Sequence, residues 1–170
     1  MKRKNILSTL AAISLLSFSS ISSAELYVFG GGGMLAHEFV DVNNASAFKI
    51  GGGYMSRGNM GFEVSYMNLG DSAAPGEIIS MSGTNFSGVF EMPLHPLVMS
   101  FKAGMYNIDA RSTLYPSASS TGFSWGILLG YEPDDRMLIF METEGFTSVN
   151  VTGGAYETPA LLTFGVRFRL

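Results

Sequence analysis

Eight charged residues are placed where they could act together. Lys49, Glu63, Glu91, Lys102, Glu142, Glu144, Arg167 and Arg169 each lie in a stretch where apolar and polar residues alternate, and each falls on the polar side. Cations and carboxylates gathered on one face can neutralise one another or line a path for ions. The first chemistry is a structural plug of ion pairs. The second is a narrow pore gated when those pairs rearrange. The core of the set is Lys49, Glu63, Glu91, Lys102, Glu142, Glu144 and Arg167.

A second group consists of scattered polar residues. The chain has two histidines: His37, in a polar stretch, and His95, between Pro93 and Pro96 in a turn. Asp71 and Ser72 open another polar stretch. A hydroxyl nucleophile needs a base within hydrogen-bond reach, which His37 supplies only if these stretches meet in space. Such residues recur by chance in loops, so no catalytic residue is assigned and the chain is read as a non-enzyme. Gly30 to Gly33 is not followed by Lys-Ser/Thr, so a phosphate loop is excluded and close packing at a strand end is expected. Asp134-Asp135 lacks the spacing of a calcium loop. No metal or cofactor is expected.

Strands position these residues. Phe48, Ile50, Gly52 and Tyr54 alternate with Lys49, Gly51 and Gly53; Met60, Phe62, Val64 and Tyr66 alternate with Gly61, Glu63 and Ser65. The same period of two runs from Leu97 to Tyr106, from Phe123 to Tyr131 and from Leu162 to Leu170. Segments at 25–31, 84–92 and 137–145 bring the count to eight. Short turns at 56–59, 93–96 and 132–136 alternate with longer polar segments near 35–45, 68–77, 109–121 and 147–158. Short connections at one end and long ones at the other predict an all-β fold, an eight-stranded antiparallel up-and-down transmembrane β-barrel. Its interior is just wide enough for side chains to fill, which favours the plug over the pore. Depending on the register, Gly51 or Gly53 would make room for Glu63, and Gly126 for Glu142. Tyr54, Tyr66, Phe90, Tyr131 and Phe168 suit the aromatic girdles at the membrane borders.

Composition agrees with a membrane barrel. Hydrophobic residues make up 46% and mean hydropathy is +0.25, yet beyond residue 24 no apolar run is long enough for a spanning helix. Lys2, Arg3 and Lys4, then an apolar, serine-rich run, then Ser22-Ser23-Ala24 read as a signal peptide over 1–24, cleaved near Ala24. The barrel domain is then 25–170. Three of the 10 basic residues lie in the signal, leaving 7 against 14 acids. That balance excludes nucleic acid as a partner. The chain has no cysteine, so disulfides do not hold it.

Gly61-Phe62-Glu63-Val64-Ser65-Tyr66-Met67-Asn68-Leu69-Gly70 resembles the third strand of the OmpA-like eight-stranded outer-membrane barrel family. Phe101 to Tyr106 and Gly126 to Tyr131 resemble its fifth and sixth strands. Thr163 to Leu170 is similar to the C-terminal signal read by the outer-membrane assembly machinery, with Thr163, Gly165, Phe168 and Leu170 at its marked positions. The terminal residue is Leu where Phe is commoner. The resemblance covers the barrel alone, without the peptidoglycan-binding domain of longer members. It implies location in a Gram-negative outer membrane, with lipid, lipopolysaccharide, the assembly machinery and periplasmic chaperones as partners. The implied role is structural or surface-exposed: envelope integrity, or adhesion to host or surface ligands through the loops. The alternatives are the narrow channel and a lipid A-modifying enzyme. For the latter, His37, Asp71 and Ser72 resemble the rim residues of the lipid A palmitoyltransferase, an eight-stranded barrel whose N-terminal amphipathic helix has no counterpart here.

Overall fold

In the computed structural model, residues 25–37, 44–74, 77–152 and 155–170 are described; the expected signal peptide over 1–24 lies outside them. The strands are β1 (Glu25–Ala36), β2 (Ala45–Met55), β3 (Met60–Ala74), β4 (Glu77–Leu94), β5 (Leu97–Ser112), β6 (Ala118–Asp134), β7 (Met137–Phe146), β8 (Val149–Thr152), β9 (Ala155–Glu157) and β10 (Ala160–Arg169). Eight of them close an antiparallel barrel in the order β1-β10-β7-β6-β5-β4-β3-β2, while β8 and β9 form a separate hairpin. Closure runs through β1 and β10, with Tyr27 opposite Arg169 and Ala36 opposite Ala160. No sheet edge of the barrel remains to be satisfied in hydrocarbon.

The alternation has the sign of a membrane barrel. On β5, Leu97, Phe101 and Met105 point outward while Val98, Ser100, Lys102 and Tyr106 are buried. On β6, Phe123, Trp125, Ile127, Leu129 and Tyr131 form the outward row. Leu97 to Met105 and Phe123 to Tyr131 each span nine residues, close to the length a tilted strand needs to cross a bilayer. Above this band the outward residues turn polar: Asn107, Asp109 and Arg111 on β5, Ser119 and Thr121 on β6. Tyr66 marks the upper border; Tyr54, Phe90, Tyr131 and Phe168 mark the lower one.

Strand lengths differ from expectation in an organised way. β3, β4, β5 and β6 have 15, 18, 16 and 17 residues, whereas β1, β2, β7 and β10 have 12, 11, 10 and 10. Much of the expected loops at 68–77 and 109–121 is therefore strand. Beyond the band the outer face meets water while the inner face packs Ile79, Met81, Ile108 and Ala110 into the core, so polar residues such as Ser80, Ser82 and Asp109 continue the ladder without an apolar outer face. The expected loop at 147–158 contains the β8–β9 hairpin.

The interior is filled in three layers. Toward the mouth lies an apolar cluster that includes Leu35, Met67, Leu69, Ile79, Tyr106, Ile108, Phe146 and Leu161. Toward the short turns lies another, of Tyr27, Phe29, Met55, Val89, Val98, Leu128, Leu138 and Phe140. The buried charges lie between the two and mingle with the lower one. The apolar-outward rule fails in β1, where Tyr27 and Phe29 point inward at 3% and 5% exposure.

Candidate functional site: a chain of ions through the lumen

All seven core charges of the sequence analysis point inward and are buried, and they form one connected chain. Glu144 meets Lys49 at 2.5 Å, and Lys49 meets Glu142 at 3.0 Å. Glu142 contacts Lys102 at 2.5 Å, and Lys102 contacts Glu63 at 2.5 Å. Glu63 lies 3.2 Å from Arg167, which lies 2.6 Å from Glu91. Signs alternate at every step, so each cation is shared between two carboxylates. Arg169 lies at the end of this chain of ions, partly exposed at the rim beside the short turns, 3.8 Å from Glu91 and 3.3 Å from Glu25, and also paired with Glu132.

Neutral groups satisfy what the ions leave open. The Tyr27 hydroxyl donates to Glu63 at 2.9 Å, Ser100 donates to Glu91 at 3.2 Å, and the Asn85 amide donates to Glu144 at 3.1 Å. Ser124 in turn donates to the Asn85 carbonyl oxygen at 2.8 Å. Every strand of the barrel thus contributes a side chain. The Phe29 ring lies between both lysines, 5.5 Å from Lys49 Nζ and 5.4 Å from Lys102 Nζ, and the Arg167 guanidinium lies 4.5 Å above the Tyr27 ring. The aromatic faces add attraction for the cations where water is excluded.

The glycines serve partners other than the expected ones. Gly53 is paired with Glu63, but a Cβ there would fall 2.5 Å from the Tyr27 ring; one on Gly51 would fall 2.6 Å from the Phe29 ring. These glycines admit the two inward aromatics. Gly126 pairs with Glu144, not Glu142, and its missing Cβ leaves room for the Glu144 side chain, 3.0 Å away. Gly30 to Gly33 lies within β1, not at its end, and brings it against β10: a Cβ on Gly33 would meet the Leu162 carbonyl at 1.8 Å.

The polar residues of the mouth are sorted by one irregularity. Between Asn68 and Gly70 the β3–β4 register slips by one residue. Gly70 has φ +78°, in the left-handed region, and its N–H donates to the Asn68 side chain at 2.9 Å. The slip reverses the phase of the strand. Leu69 points inward, and so does Ser72, at 1% exposure, while Asp71 points outward. His37 Nε2 lies 2.6 Å from Ser72 Oγ, and His37 Nδ1 lies 2.6 Å from Glu157 Oε1. Sequence reasoning grouped His37 with Asp71 and Ser72; the structure joins His37 to Ser72, excludes Asp71 and adds Glu157. No sequence signal marked Glu157, because β9 is only three residues long.

In the last strand, Thr163 is buried in the lumen and Gly165 faces the Phe140 ring, which a Cβ would approach to 2.7 Å. Phe168 and Leu170 are exposed at 48% and 80%, at the end where Arg169 pairs with Glu25.

No family model and no curated protein matches the chain. Solved structures do. Neisserial surface protein A aligns over 88% of this chain and 98% of its own, with 15% identity and a TM-score of 0.67. A major outer membrane protein from Thermus thermophilus aligns over 87% and 100%, with 11% identity and a TM-score of 0.65. Ail, the attachment invasion locus protein of Yersinia pestis, aligns over 86% and 97%, with 13% identity and a TM-score of 0.56. What the chain shares with these proteins is the fold, the closed eight-stranded antiparallel barrel of outer-membrane proteins.

Proposed function

We propose that the chain is an integral outer-membrane barrel of OmpA-like type whose role is structural and surface-directed, with no transport through its lumen. One observation carries this reading: the ion chain is closed in by an apolar cluster toward the mouth and mingles with a second toward the short turns. An ion entering through the mouth would have to shed its water in an apolar layer before reaching a charge, and at the short-turn end it would meet Glu91 beside Arg169, already held in ion pairs. Outside, no described outward residue of the nine-residue band is charged. That is the composition a lipid-facing band requires, since a midplane cation there costs about 2–4 kcal/mol.

The surface-directed part rests on the tall wall of β3 to β6, whose outward residues beyond the band are polar. Two of the similar structures carry the names surface protein and attachment invasion locus protein, which accords with a barrel that presents its mouth to the exterior. Lipid and lipopolysaccharide are then its surroundings, and Thr163 to Leu170 its address for the assembly machinery and chaperones. The narrow channel lacks a continuous polar path, and Asp71 turns away from the other residues on which a lipid A-modifying site was based.

The test is planar-bilayer recording on purified, folded protein. Silent traces at any applied voltage are expected. Reproducible conductance steps that change size in Glu63→Gln would replace the sealed barrel with the gated channel.

A further inference from the structure

We propose that Ser72, His37 and Glu157 form a serine-hydrolase triad at the mouth of the barrel, acting on uncharged carboxylic esters with short apolar acyl groups. The contacts have the order such chemistry needs. Glu157 accepts at Nδ1 and Ser72 meets Nε2, both at 2.6 Å. An ionised carboxylate can only accept, so Nδ1 of the neutral ring carries the proton and Nε2 is left to receive that of the Ser72 hydroxyl. The His37 and Glu157 side chains are 1% and 0% exposed, and the second oxygen of Glu157 has no hydrogen-bond partner among the described residues. A buried carboxylate held by one histidine is suited to orienting that ring.

Two further features set this cluster apart from a chance contact. The three residues come from three separate segments: His37 directly follows β1, Ser72 lies on β3 and Glu157 on β9. Ser72 reaches the lumen only because the bulge at Gly70 reverses the strand. A Cβ on Gly70 would meet the Ser46 carbonyl at 2.1 Å, and its φ of +78° disfavours any other residue. Bulges that re-aim a side chain are common beside active sites. The chain has no cysteine, so no thiol competes as nucleophile.

The substrate class follows from the surroundings. Below the triad lie Leu35, Leu69, Ile79 and Leu161, an apolar floor with no cation among the described residues packed in it to hold an anionic substrate. That floor is already packed, which limits the acyl group to a few carbons. The triad faces the lumen and not the lipid, so a bilayer-embedded acyl chain is not within its reach. In the first half-reaction Ser72 Oγ bonds to the ester carbonyl carbon, its proton passes to His37 Nε2, and the C–O bond to the alcohol breaks as that proton is handed to the leaving oxygen. In the second, water gives a proton to Nε2 and attacks the acyl carbonyl; Ser72 Oγ leaves and recovers the proton, releasing a carboxylic acid.

Because all three side chains are buried, turnover depends on openings of the mouth, and a covalent probe that accumulates over hours reads the site better than an initial rate alone. The full chain is folded in detergent, and its fold is checked by heat-modifiable mobility. It is then incubated with a short alkyl fluorophosphonate and, separately, with p-nitrophenyl acetate, butyrate and octanoate. The expected results are a phosphonyl adduct on the peptide containing Ser72, acetate and butyrate hydrolysis above the spontaneous rate, and little on octanoate. Ser72→Ala should remove both signals, and Glu157→Gln should lower ester hydrolysis by about 10²-fold or more with the fold intact. Folded wild-type protein that takes no probe at Ser72 and hydrolyses none of the esters would overturn the proposal, whatever the variants do. So would an adduct located only at another serine.

Discussion

Glu63 takes Lys102, Arg167 and Tyr27 on its two oxygens and is 3% exposed. Glu63→Gln keeps its shape but removes its charge, leaving two cations with one carboxylate fewer in a dry interior. A loss of about 3 kcal/mol is expected, read as a lower melting temperature in detergent, with no conductance appearing. Gly53→Ala tests the packing beside it: the new methyl would collide with the Tyr27 ring and the Phe62 carbonyl, so a loss of about 1–3 kcal/mol is expected. Unchanged melting in Gly53→Ala would show that Tyr27 is not held where the structure places it. At this scale the charges were legible in the sequence because each stands at an alternating position among apolar neighbours. Their partners were not legible, since pairing follows from register; hence Gly126 was matched to Glu142 in place of Glu144. Ser72 was legible as a candidate, but its inward direction, and hence the separation from Asp71, was hidden by the Gly70 bulge, which reverses the period-two phase; Glu157 was hidden by lying in a hairpin too short to show a period.

The last strand is the element whose proposed role extends beyond its contacts. Phe164, Val166, Phe168 and Leu170 form its outward row, and it pairs with β1 to close the barrel. If Phe168 is read by the assembly machinery, Phe168→Leu should reduce the heat-modifiable protein in the outer membrane severalfold while refolding of the purified variant in detergent stays near normal. Equal amounts in cells would reduce Phe168 to an ordinary lipid-facing residue. Gly165→Ala cannot make that distinction. Its methyl would fall 2.4 Å from the Gly30 carbonyl and 2.7 Å from the Phe140 ring, so it should impair folding in detergent as well. The eight strands could be read from alternation because one face of each meets lipid. The upper ends of β3 to β6 could not, because with water on the outer face the period inverts, polar residues such as Ser80, Asp109 and Arg111 pointing out and Ile79, Met81, Ile108 and Ala110 in; those residues read as loop.

The whole molecule is a closed cylinder with a nine-residue apolar band on its outer face, side chains packed through its interior and a wall that is taller on the β3 to β6 side. Strand number was implied by the alternation, and the up-and-down order of a closed barrel by the short and long connections. The inward aromatics of β1 were not, because Tyr27 and Phe29 look lipid-facing until the cations they stack against are known. The most direct test uses the absence of native cysteine. Single cysteines replacing Ser117, beyond the band on the tall side, and Arg57 and Asp135, in the short turns, are exposed to a membrane-impermeant maleimide on intact cells and again after lysis. Strong labelling of the Ser117 site in intact cells is expected, with the Arg57 and Asp135 sites labelled only after lysis. Equal labelling of all three on intact cells, or labelling of the two turn sites alone, would contradict the transmembrane barrel and its orientation.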